Sequence, residues 1–217
     1  MSVEMTSGVV VADMLEGMKF ALGPSMAVRR DALEAVGGFV ALANYCADDF
    51  VLGMKIHEAG FQVVLSHHII EHIVVHRRFS DSILHQVRWM KSTRFSRPLG
   101  HLGRGLTFAM PFGILGMVAG MAGGQTEFGL ALLGWAMFSR IVQALIAGWG
   151  IVEDPSSVKF CWLYPLRDLM GFLFWCASFL SPTIVWRGER YRLQPGGTMV
   201  LDSGEPVSSK PVQGRLL

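Results

Sequence analysis

Gly37-Gly38-Phe39, Ala47-Asp48-Asp49-Phe50 and His85-Gln86-Val87-Arg88-Trp89 set the frame for reading this chain. The Gly-Gly step stops a short helix. Asp48-Asp49 enters an apolar-periodic run over Phe50 to Ala59, which predicts a helix ended by Gly60. Two roles fit that acidic pair. Aspartate near a helix N-terminus is stabilised by the free N–H groups and the dipole, and this alone accounts for the residue type. The other role is a general base that takes the proton of an attacking hydroxyl, kept ionised near neutral pH by the same helix end. The two roles are compatible. Arg88-Trp89 is also double-edged. It reads as an interfacial Trp on an amphipathic helix, or as a flat apolar face beside a cation that holds a phosphate or carboxylate.

Outward from this frame, Met14, Leu15, Met18, Phe20 and Leu22 have rough helical spacing and lead to a Gly23-Pro24 turn. Residues 1–22 read as the interior of a domain. Ser25 to Val28 is a strand candidate, and Asp31 with Glu34 forms a capping box for a brief helix. Phe61 to Leu65 and Ile69 to Val75 are further strand candidates. Ser80 is an N-cap candidate for a helix to about Ser96, with Ile83, Leu84, Val87 and Met90 on its apolar face and Arg88, Lys91 and Arg94 on another.

The composition points to lipid. Hydrophobic residues make up 51% of the 217, charged residues 17%, and mean hydropathy is +0.40, whereas about a quarter of residues are charged in ordinary soluble domains. Residues 76–104 hold seven Lys and Arg against one acid, Asp81. A basic block directly before apolar sequence predicts a cytoplasmic membrane face rather than a nucleic-acid site. Three apolar segments follow: Arg104 to Glu127, rich in glycine; Phe128 to Val152, containing Arg140; and Phe160 to Trp186, containing Arg167-Asp168. Each has the roughly twenty residues of a span. Three full spans would place the basic clusters before the first and after the third on opposite sides, so the glycine-rich segment is read as re-entrant or interfacial. Ionisable residues in lipid are costly, and Asp168 is expected to pair with an arginine inside the bundle. The tail from Gln194 reads as loose.

Cys46, Cys161 and Cys176 are odd in number and widely spaced, with no CxxC, so neither a disulfide framework nor a zinc site is inferred. His67, His68, His72 and His76 lie in a strand-like segment without a zincin carboxylate and are read as surface or packing residues. Glu4 and Asp13 interrupt the N-terminal sequence, which lacks a signal-peptide pattern.

Gly23-Pro24-Ser25-Met26-Ala27-Val28-Arg29-Arg30-Asp31, Gly37-Gly38-Phe39, Ala47-Asp48-Asp49-Phe50, His85 to Trp89 and the late Trp186-Arg187-Gly188-Glu189-Arg190-Tyr191-Arg192-Leu193 resemble the second half of the ceramide glucosyltransferase family. The overlap covers roughly residues 15–195, and the bacterial branch linked to hopanoid glycosylation is the most similar. The resemblance implies an α/β fold: the C-terminal half of a GT-A nucleotide-sugar transferase domain followed by membrane helices. Residues 1–104 would be the partial catalytic domain on the acceptor side, 105–186 a membrane region of two to three apolar helices, and 187–217 a cytoplasmic tail. The implied reaction is inverting transfer of glucose or N-acetylglucosamine from a UDP-sugar to a membrane lipid hydroxyl, ceramide or hopanoid.

By the same resemblance, Asp49 matches the catalytic base and Asp48 the acidic residue before it. Arg88 and Trp89 match the end of a QxxRW-type motif whose first position, usually Gln or Arg, is His85 here, with Gln86 beside it as a second substrate-binding candidate. The family's DxD metal site is absent from this sequence. Mg2+ or Mn2+ is expected in an intact enzyme with ligands outside this chain, and the chain alone is expected not to turn over. The resemblance places the protein in a bacterial inner membrane, with the bilayer, the UDP-sugar and the lipid as partners. Competing readings are a processive polysaccharide synthase, a polyprenyl-phosphate glycosyltransferase, or a non-catalytic membrane subunit.

Overall fold

A computed structural model describes residues 3–66, 68, 78–186 and 188–202. Among these the chain is mainly helical, with one small antiparallel sheet at its C-terminal end. Helix α1 spans Val3–Glu16, α2 Arg30–Ala35 and α3 Asp48–Glu58. Helix α2 ends where Gly37 and Gly38 take φ of 87° and 69°, a region that favours glycine. Its N-cap is Arg29 rather than Asp31, and Arg29 carries no side-chain cap bond; Asp31 sits inside the first turn. Ala32, Leu42, Val51, Leu52 and Ile56 form the core between α2 and α3, with Phe61 and Val63 packed on it.

The expected strand at Ser25 to Val28 does not form. Phe61 to Ser66 alternates half-buried and exposed as a strand would, yet it has no partner strand among the described residues and is only extended chain. Ile69 to Val75, His67, His72 and His76 lie outside the described residues.

Helix α4, Phe79–Ser96, carries the Arg-Trp step; Arg78 rather than Ser80 is its N-cap. Helix α5, Pro98–Gly105, bends by 43° into α6, Ala109–Ala122. By length and composition this bent pair fits a broken span or a re-entrant loop. Helix α7, Thr126–Gln143, runs on as π-helix over Ala144–Ile151. The resulting 26-residue, largely apolar helix reaches about 39 Å, more than the roughly 30 Å of a bilayer core. Glycines bring α6 against α7. A Cβ on Gly113 would lie 2.5 Å from that of Ala136, and one on Gly120 2.8 Å from the Gly129 Cα. Large apolar residues such as Leu115, Phe128, Trp135 and Phe138 face outward from this pair.

The third apolar segment is not one long helix. Helix α8, Pro155–Phe160, and a 3-10 turn over Cys161–Leu163 precede α9, Tyr164–Ala177. The 14 residues of α9 cover only about 21 Å. Pro165 opens it and Pro182 lies beyond its end, where a helix-breaking ring belongs. Strands β1 (Thr183–Trp186), β2 (Glu189–Leu193) and β3 (Met199–Leu201) then form an antiparallel sheet in the order β1-β2-β3. Gln194 to Leu201, read as loose from composition, therefore form the β2–β3 turn and β3. Ile184, Tyr191, Leu193 and Met199 bury the sheet's inner face against Phe95 and Cys46.

Asp168 does find its arginine. Arg140 Nη1 lies 3.2 Å from Asp168 Oδ1, and the Met110 N–H donates to Asp168 Oδ2 at 2.8 Å. One buried carboxylate thus joins α9 to α7 and satisfies an open N–H in the first turn of α6.

Candidate active site

Asp48 and Asp49 occupy the first turn of α3, one step inside its N-cap, Ala47. Asp48 is exposed and its Oδ1 accepts the Asp49 N–H at 3.1 Å. Asp49 is half-buried and is held from two sides. Its Oδ1 accepts the Phe50 N–H at 2.8 Å, and its Oδ2 accepts the N–H of Gly23 at 2.7 Å. Glycine leaves room for this second bond: a Cβ at residue 23 would sit 2.8 Å from that oxygen and the carboxylate would have to shift. The Gly23-Pro24 turn therefore positions the Asp49 carboxylate. A carboxylate oxygen can accept twice, so each Asp49 oxygen keeps acceptor capacity beyond its backbone bond.

On α4, Arg88 Nη2 lies 3.1 Å from His85 Nδ1, one turn earlier. Arginine only donates, so His85 Nδ1 accepts and a neutral ring carries its proton on Nε2. His85 thus orients the Arg88 guanidinium. Trp89 is 37% exposed and Gln86 is half-buried.

Cys46 joins the two motifs. Burial pushes its thiol up, a Ser92 hydrogen bond works against that, and the charges of Arg88, Asp48 and Asp49 all act on it. The acidic pair and the Arg88 guanidinium are thus all within electrostatic reach of one half-buried thiol. The sequence offered only a hint of this, a cysteine two residues before the pair.

The β2–β3 turn fixes the arrangement through backbone bonds that no side-chain motif announces. Gly197 O accepts the Cys46 N–H at 2.9 Å, Asn44 O accepts the Met199 N–H at 2.6 Å, and Tyr45 pairs with Thr198. From the same turn the Gly196 N–H donates to Phe95 O at 3.2 Å, and Lys91 Nζ of α4 donates to Thr183 O at 2.8 Å. The C-terminal sheet therefore ties the loop before the acidic pair to the helix bearing His85, Gln86, Arg88 and Trp89. Among the described residues no group of three or more His, Cys, Asp or Glu could hold a metal ion.

No solved structure matches the chain. It is 24% identical over 189 residues to "Ceramide glucosyltransferase 1" of Caenorhabditis elegans, covering 83% of this chain and 39% of that protein. The chain thus spans about two fifths of that relative's length. Residues 1–199 match the family model described as "Glycosyl transferase family 21". With most of its length inside that match, the chain belongs to glycosyl transferase family 21.

Proposed function

We propose that this chain carries the acceptor side of an inverting membrane glycosyltransferase that moves glucose or N-acetylglucosamine from a UDP-sugar to the hydroxyl of a membrane lipid, ceramide or hopanoid. The observation that supports it most is the Asp49 carboxylate, held by the Gly23 and Phe50 N–H groups, whose charge and that of Arg88 both act on the Cys46 thiol. In this reading Asp49 takes the proton of the lipid hydroxyl. The oxygen attacks the anomeric carbon from the face opposite the diphosphate, the bond from that carbon to the diphosphate oxygen breaks, and UDP leaves. Arg88, oriented by His85, faces the diphosphate. Trp89 offers its ring to the sugar or acceptor, Gln86 an amide to the same substrates, and Asp48 adds to the acidic end of α3.

The relative's printed name supports a lipid acceptor. The GT-A fold is the scaffold we assign, with its nucleotide-binding part outside this chain. Mg2+ or Mn2+ would neutralise the diphosphate. The described residues offer no ligand set for it. The α6–α7 pair is the membrane-embedded part, in a bacterial inner membrane, with the Asp49 site on the cytoplasmic side. Helix α5, with its His and Arg, stays outside it.

Membranes from cells expressing the gene, given UDP-glucose or UDP-N-acetylglucosamine with ceramide or hopanoid, test this. The expected product is a lipid bearing one sugar in β linkage. A polymer would point to a processive synthase, and an α-linked product would contradict inversion.

A further inference from the structure

A second groove lies between the α4–α5 elbow and the β2–β3 turn, with a volume of about 400 Å³. That is within the range of small-molecule sites. None of Asp48, Asp49, His85, Gln86, Arg88 or Trp89 lines it. Its walls are mostly apolar and include Phe95, Pro98, Leu102 and Phe179. Arg94 lines it too, and no carboxylate does.

The bonding of Arg94 defines what this groove takes. Its guanidinium carbon lies 4.8 Å from the centre of the Phe179 ring and 5.2 Å from that of Phe95, so the charge itself is set against two of the walls. Nη1 donates to Ser178 O at 2.8 Å. Among the described residues no carboxylate lies within salt-bridge distance of the group, and Nε and Nη2 make no hydrogen bond yet are not sealed from water. These two atoms form the edge of a guanidinium whose parallel N–H groups take both oxygens of a carboxylate or phosphate. The bond to Ser178 O holds the group in place and leaves that edge open.

Charge narrows the ligand further. His101, the other titratable wall residue, is fully buried. Burial and the Arg104 and Arg94 charges push it down to about 4, so it is neutral at physiological pH. The wall thus holds one cation. A monoanion balances it, whereas a phosphate monoester carries about −1.5 to −2 at pH 7. A half-buried cation without a counter-ion is costly, and so is apolar wall left in water. An anion with an alkyl chain relieves both.

We propose that this groove binds a long-chain fatty acid as its carboxylate, the two oxygens on the Arg94 Nε and Nη2 N–H groups and the alkyl chain along Pro98, Leu102 and Phe179. The inference is independent of the glycosyl-transfer reading.

A photoreactive palmitic acid, its methyl ester and the corresponding hexadecyl phosphate, each offered to the full chain in phosphatidylcholine nanodiscs, test it. The expected result is acid labelling of the peptides containing Leu102 and Phe179, with the ester labelling them at least about tenfold less, the size of one charge-assisted hydrogen bond. Peptides of α7 should be labelled equally by acid and ester. Arg94→Lys keeps the charge and can still donate to Ser178 O, but it lacks the two-donor edge. It should bring acid labelling down toward that of the ester and leave ester labelling unchanged. Equal labelling by acid and ester in the unaltered protein would reduce the groove to an apolar crevice and overturn the proposal, whether or not Arg94→Lys folds. No labelling of the two peptides, stronger labelling by the phosphate than by the acid, or acid labelling unmoved by Arg94→Lys would overturn it as well.

Discussion

Asp168→Ala removes the carboxylate that holds three helices together. Its side chain is 3% exposed and that of its partner Arg140 19%, so the pair is little screened by water. Removing one member of a buried pair strands the other and costs about 3–5 kcal/mol. Arg140 would keep Thr107 O at 3.2 Å as an acceptor, while the Met110 N–H would lose its own. Asp168→Asn separates the contributions. The amide oxygen can still accept from Met110, now as a neutral bond worth about 0.5–1.5 kcal/mol, so the loss should shrink to about 2–4 kcal/mol. Arg140→Met in the Asp168→Asn background removes the stranded charge and should recover most of that loss, because apolar replacement of both members is often neutral. The assay is urea unfolding of detergent-solubilised protein followed by tryptophan fluorescence. A loss under about 1 kcal/mol for Asp168→Ala, or strictly additive effects of the two single changes, would refute the reasoning.

Three other substitutions probe the site and its supports. Gly23→Ala pushes a Cβ to 2.8 Å from Asp49 Oδ2; glycosyl transfer should fall at least about tenfold through kcat while the thermal midpoint moves by only a few degrees. Gly197→Ala combines a φ of 83° with a Cβ 2.4 Å from Ser96 Oγ; a loss of about 1–3 kcal/mol is expected, with faster hydrogen exchange at the Cys46 amide. His101 is neutral in the fold and takes a proton only near pH 4, whereas the unfolded ring takes one near about 6.5. The unfolded state binds more protons between those values, so this stability is complete above about pH 6.5 and is lost as pH falls toward 4. Thermal midpoints from pH 7.5 to 5 should drop, and His101→Gln should flatten that slope.

How much of this was legible from residue types depends on where each interaction resides. The Gly37-Gly38 stop and the Asp48-Asp49 helix start were legible because the side chain, or its absence, causes the local geometry. Asp168 was legible because a charge in an apolar run demands a partner. Phe61 to Leu65 misled for a physical reason: its alternation records burial on the α2–α3 core, but a strand also needs a neighbour to bond with. The terminal sheet was hidden twice, β1 as the end of an apolar run and β3 behind a Pro-Gly-Gly turn that reads as loose. Asn44, Gly196 and Gly197 act through backbone N–H and C=O groups, which every residue has, so no motif marks them. The link between Asp49 and Gly23 is a backbone bond across 26 positions and is equally silent in the sequence.

The most direct test of the account is Asp49→Asn, introduced at the native locus, with transfer of labelled sugar from UDP-glucose and UDP-N-acetylglucosamine into lipid measured in native membranes. Asparagine preserves the size and can still accept the Gly23 N–H with its one oxygen, giving up the Phe50 bond, but removes the base, so incorporation should fall by about a hundredfold or more at unchanged protein level. Incorporation equal to that of the parent would contradict the assignment of Asp49 as the base and, with it, the proposed function of this site.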